Sequence, residues 1–185
     1  MSPILKGVIA SQITGHLNNN SYESIATVTV GSGGAASVTF TSIPSTYKHL
    51  QIRTLYLNTS AQSNIRMTYN SDTAANYSWH ELDGYGQPSP EASGTANASF
   101  MSIILGATGT TNQAVGITDI LEYANTNIYK TCKTLTGADT NGGINYILFR
   151  SGNWRSTSAI TRIDLTASAG NFGQYSSIAL YGIKG

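Results

Sequence analysis

The chain has 185 residues, of which 10% are charged and 40% hydrophobic, with a formal net charge of +1. An ordinary soluble domain carries about 25% charge, so copies of this chain repel one another weakly. No basic run marks a nucleic-acid footprint, no apolar run approaches the roughly 20 residues of a membrane span, and a chain with eleven Tyr is unlike a disordered one.

Residues 1–20 differ from the rest. Ile4, Leu5, Val8, Ile9 and Ile13 fall at rough helical spacing ahead of Asn18, Asn19 and Asn20. This predicts an N-terminal arm, either a short amphipathic helix or an extended segment, that docks on a partner subunit. A first strand or a frayed terminus is the plainer alternative. Lys6 and Gly7 break the apolar stretch and no positive segment precedes it, which argues against a secretory signal.

From residue 21 to 185 the pattern is that of one β domain. Ser24–Val30 alternates, Gly31–Gly34 reads as a turn, and Ser37–Phe40 follows, which predicts a hairpin. Pro44 then punctuates the chain. His49–Leu57 has Leu50, Ile52, Thr54 and Tyr56 on one side and Gln51, Arg53, Leu55 and Leu57 on the other. Ile65–Tyr69 and Tyr77–Leu82 are shorter strands. Gly84–Asn97, with Pro88 and Pro90, reads as a long loop. Ser99–Leu105, Ala114–Tyr123, Tyr129–Leu135, Asn145–Arg150 and Ile160–Thr166 are further strands. The last strand runs almost to the final residue, with Ile178, Leu180 and Gly182 opposing Ser177, Ala179 and Tyr181. Its position predicts a compact building block with no C-terminal tail. About ten strands joined by Gly and Asn turns, without a long helix, predict an antiparallel β-sandwich of jelly-roll type.

Chemistry-bearing patterns are sparse. His16, His49 and His80 lie far apart. Trp79 and Glu81 share one face of a strand and His80 the other, which makes no metal pair. Asp119 and Glu122 point to opposite faces, so paired acid–base work has no support. The sequence contains no phosphate-cradling glycine loop before a helix and no nucleophile elbow, and calls for no cofactor. The single Cys132 is unable to form an internal disulfide and reads as a small apolar residue on a strand. Sequons begin at Asn19, Asn58, Asn76 and Asn97, as chance allows in a chain rich in Asn, Ser and Thr. One binding alternative stands on aromatic residues: Tyr77, Trp79, Tyr85 and Trp154, with polar neighbours, are candidates for a glycan-binding surface. Core or interface packing of the same rings is the competing reading.

Four stretches carry a resemblance: Phe40–Arg53, Ile120–Thr131, Trp154–Ile163 and Ser177–Lys184. As a set they resemble small virion structural proteins of tailed bacteriophages. The resemblance implies a β-sandwich assembled in a virus particle, often as a homotrimer, and carries no catalytic residue. The expected function is a non-enzymatic head decoration (cement) protein that binds the major capsid protein or other virion proteins between capsomers. A tail or fibre component that recognises a host-surface glycan is the alternative. Neither role involves nucleic acid or membrane as a partner.

Overall fold

The computed structural model describes residues 21–60, 63–84, 89–107, 111–139 and 145–185. The arm residues Ile4, Leu5, Val8, Ile9 and Ile13, and Tyr85, lie outside the described residues. The described chain forms twelve strands and no helix: β1 (Tyr22–Thr29), β2 (Ser37–Phe40), β3 (His49–Tyr56), β4 (Ser63–Tyr69), β5 (Tyr77–Gly84), β6 (Glu91–Ala98), β7 (Met101–Ala107), β8 (Ala114–Leu121), β9 (Lys130–Ala138), β10 (Tyr146–Trp154), β11 (Ile163–Ala167) and β12 (Ser177–Ile183).

They build two antiparallel sheets. The large sheet has the order β1-β12-β3-β8-β9-β10-β5-β6 and the small sheet β2-β11-β4-β7. The first four strands of the large sheet and the four of the small sheet follow the jelly-roll order. In that order the chain alternates between sheets and its last strands insert between its first. The remaining four, β9, β10, β5 and β6, widen one sheet beyond the eight-strand pattern. This widening gives the molecule a broad outer face.

The core lies between the sheets. Leu50, Ile52 and Tyr56 of β3, Ile120 of β8 and Ile178 and Leu180 of β12 face Ile65, Met67 and Tyr69 of β4 and Ile163 and Leu165 of β11. Leu50, Ile52, Thr54 and Tyr56, which the alternation groups on one side of β3, are the buried set. β8, β9 and β10 alternate buried and exposed positions along their full length, as a period of two requires.

Two expectations are corrected. Residues 24–40 do not form a hairpin: β1 pairs with β12 and β2 with β11. The turn itself exists, with Gly34 at φ 69° donating to the carbonyl of Gly31. It carries the chain from one sheet to the other. Part of Gly84–Asn97 is strand, since β6 pairs with β5 from Tyr77↔Ala98 to Asp83↔Glu91. Its Ala, Ser, Gly and Thr residues show no apolar alternation because an edge strand needs only ladder hydrogen bonds on one side.

Candidate functional site

The large sheet presents an apolar outer face. Its register aligns Leu82, Phe149, Leu135 and Ile117 in one row across β5, β10, β9 and β8. The row continues into Arg53 and Ala179. A second row sets Ile147, Gly137, Val115, Leu55 and Ser177 side by side. Leu82, Phe149, Leu135, Ile147 and Val115 are each half or more exposed, and Ile117 is 44% exposed. Gly137, Ser177 and Ala179 are too small to fill their positions, so a groove of about 720 Å³ runs between the rows. The next row is polar but internally neutralised. Asp119 accepts from Gln51 Nε2 at 2.8 Å and lies 3.5 Å from Lys133 Nζ.

A second site lies where the far end of the large sheet meets β7, the edge strand of the small sheet. Asn64, Arg66, Trp79, Glu81, Phe100, Ser102, Arg150 and Ser168 line a pocket of about 340 Å³. Arg150 is 3% exposed. Its Nε and Nη2 donate to Glu81 Oε2, its Nη1 to Ser102 Oγ at 2.6 Å, and its guanidinium lies over the Trp79 ring at 4.6 Å. Burial draws the Arg150 pKa down, while the Glu81 hydrogen bond and charge oppose that. Nearby Asp83 is raised, first by burial and then by the charges of Glu81 and Glu91. The other walls are less committed. Arg66 stacks on Phe100 at 4.5 Å but donates to no acceptor among the described residues, and Trp79 Nε1 is buried without a partner.

The aromatic candidates separate. Tyr77 and Trp154 are opposite one another in the β5–β10 register and face the core, 0% and 2% exposed. They stack at 6.3 Å, and Trp154 Nε1 donates to Asp72 Oδ2 at 2.7 Å while Tyr77 Oη donates to Asp72 O at 2.9 Å. Neither offers a ring face to a sugar, because their inward register places them beside Tyr69. Trp79 alone of the described candidates lines a pocket.

The remaining reactive residues are engaged structurally. Cys132 is buried, and burial raises its thiol pKa to about 12. His49 Nδ1 accepts from the Glu122 backbone N–H, and Glu122 pairs with Lys48 at 2.6 Å. Among the described residues no group of three or more His, Cys, Asp or Glu side chains is placed to hold a metal. Sequence reasoning missed Arg150, whose inward position between Leu148 and Gly152 of β10 is set by the structure. Arg66 and Phe100 had no signal either.

No protein-family model and no curated protein matches the chain. Among solved structures, a xylan β-1,4-xylosidase from Bacillus halodurans C-125 aligns with 6% identity and a TM-score of 0.34. The alignment covers 75% of this chain and 28% of that one. A putative pore-forming toxin from Bacteroides vulgatus ATCC 8482 aligns with 8% identity and a TM-score of 0.12, over 77% of this chain and 60% of that one. Both likenesses are too slight to bear on fold or function.

Proposed function

We propose that this chain is a non-enzymatic structural protein of a tailed-bacteriophage virion, a head decoration protein that assembles as a homotrimer and binds between capsomers. The observation that carries the assembly part is the apolar double row on the outer face of the large sheet. Monomeric proteins rarely expose so continuous an apolar patch without a use for it. The occupant that fits it is a second copy of this chain, because the two rows carry a single unpaired charge, Arg53 at one end, and copies gathered about an axis beside the face repel one another little.

Magnitudes set the character of that contact. Fully burying a large aliphatic or aromatic side chain contributes about 1.5–3 kcal/mol, and these are already half-buried. Six of them contribute on the order of 5–8 kcal/mol on that scale, comparable with the ~4–15 kcal/mol that association costs. A stable contact therefore draws on more of the sheet, toward ~800 Å² per partner, and multivalent attachment to a particle strengthens it further. The virion setting rests on the resemblance of the four sequence stretches.

Light scattering on the purified chain tests the oligomer, and quantitative mass spectrometry of particles tests the setting. A trimer and hundreds of copies per particle support the reading. A monomer at high concentration with no affinity for particles removes it. A dozen copies or fewer favours the tail component that binds a host glycan, the reading to which the Trp79 pocket lends support.

A further inference from the structure

We infer that the pocket between β5, β10 and the β4–β7 edge binds an acidic sugar residue, a carboxylate-bearing hexose at the end or within a glycan. The inference deepens the glycan-binding alternative and rests on that reading, not on trimer assembly. At about 340 Å³ the pocket sits at the small end of the range that ligand sites occupy.

Its polar groups divide into a fixed frame and a set of open donors. The frame is Arg150, Glu81, Ser102 and Ser93. Glu81 Oε2 takes two donors from Arg150, Glu81 Oε1 accepts from Ser93 Oγ at 2.6 Å, and Ser102 Oγ receives the remaining arm of Arg150. This pair is charge-neutral and internally satisfied, so it holds the wall in place and asks little of a ligand.

The open set is Arg66 and Asn64, beside the ring of Trp79. The Arg66 guanidinium has a ring beneath it and no acceptor among the described residues. The Asn64 side-chain amide likewise has no described partner, since its hydrogen bonds with Ser168 and Ser63 all run through the backbone. The Trp79 indole N–H is closed off from solvent and unpaired. Arg66 and Asn64 supply more donors than acceptors, and the one uncompensated charge in the lining is positive. The complementary ligand brings several acceptors and a negative charge. A planar guanidinium favours a carboxylate, which it can grip with two parallel hydrogen bonds. A hydroxyl on the sugar ring supplies the acceptor for Asn64, and the Trp79 ring forms an apolar wall beside it.

Calorimetric titration of the full chain tests this with three probes: a glucuronate-terminated oligosaccharide, its glucose-terminated equivalent and inorganic phosphate. The glucuronate probe is expected to bind at least tenfold more tightly than either of the others and to weaken with added salt. Arg66→Gln, at a partly buried position, is expected to lose at least tenfold for glucuronate and to leave the glucose probe unchanged. Trp79→Phe keeps the ring under Arg150, removes only the enclosed N–H and is expected to leave the binding of both sugars unchanged. Asn64→Ala serves as a second variant if Arg66→Gln unfolds. Equal binding of the charged and neutral sugars, equal binding of phosphate, an unchanged Arg66→Gln, or no binding at all overturns the inference. A trimer that persists through that failure leaves the assembly reading standing.

Discussion

The Cδ1 atom of Ile104 on β7 fills the space where a Cβ on Gly116 of β8 would stand. The absence of a side chain at Gly116 is what lets the small sheet seat on the large one at this point. Gly116→Ala is expected to destabilise the fold by about 1–3 kcal/mol through overpacking, read from the urea midpoint. Ile104→Ala alone leaves a cavity and costs about 2–5 kcal/mol. Because the two residues share one space, the double variant is expected to cost less than the sum. Simple additivity would mean that they do not compete for it.

Leu135 occupies the centre of the apolar row and is 56% exposed. Leu135→Asp is expected to change the melting temperature little, since exposed substitutions usually stay within about 0.5 kcal/mol. It is expected to shift the chain to monomer in light scattering and to lower its occupancy on particles. A trimer that survives Leu135→Asp and Phe149→Asp together would place the contact elsewhere.

Lys130 is fully buried and pairs with no carboxylate among the described residues. Its Nζ donates to the carbonyls of Asn125 at 2.6 Å, Ile128 at 2.8 Å and Thr157 at 3.1 Å. The ammonium thereby ties the β8–β9 connection to the segment after β10. Lys130→Met keeps the apolar stem but strands three carbonyls, and a loss of about 2–4 kcal/mol is expected, measured by chemical denaturation. Raised proteolysis within residues 122–129 is the accompanying local readout.

The Cys132 thiol is buried beside Met101 Sδ at 3.6 Å, and its pKa of about 12 leaves almost no thiolate at neutral pH. An aromatic disulfide reagent is expected to label it only after unfolding, with one equivalent released in denaturant. Rapid labelling of the native chain would show that β9 opens readily.

Asp164 has a pKa below its ordinary 3.8, held down by the Arg162 hydrogen bond against burial and helped by Thr39. The unfolded chain therefore takes up its proton at higher pH than the folded one. The stabilisation is present above about pH 4 and is lost as the pH falls through the folded value. Asp164→Asn is expected to flatten the acid limb of stability measured from pH 5 to pH 2, leaving the neutral plateau lower. An unchanged limb would assign acid sensitivity to other carboxylates, such as Asp72.

Period-two patterning made β3, β8, β9, β10 and β12 legible, down to which residues of β3 share a face. It failed where burial did not select side chains. β6 carries small polar residues because an edge strand is held by its backbone, and the pairing of β1 with β12 spans a separation that no local pattern records. Apolar residues on both faces of β8 and β10 were visible in the sequence, but alternation alone did not say which row was core and which was surface. Tyr77 and Trp154 were visible as aromatics, and only the register with its covering loop turned them inward. Arg66 and Phe100 come together through a bend between strands and leave no trace in spacing.

β12 lies between β1 and β3 and supplies ladder partners to both. During synthesis, then, two strands made early wait with open edges until residues 177–183 leave the ribosome. Such long-range pairing folds slowly, and unmated edges invite pairing with other nascent chains. A chain that lacks Ser177–Ile183 would leave β1 and β3 without their shared partner, and is expected to aggregate rather than fold as a smaller sandwich.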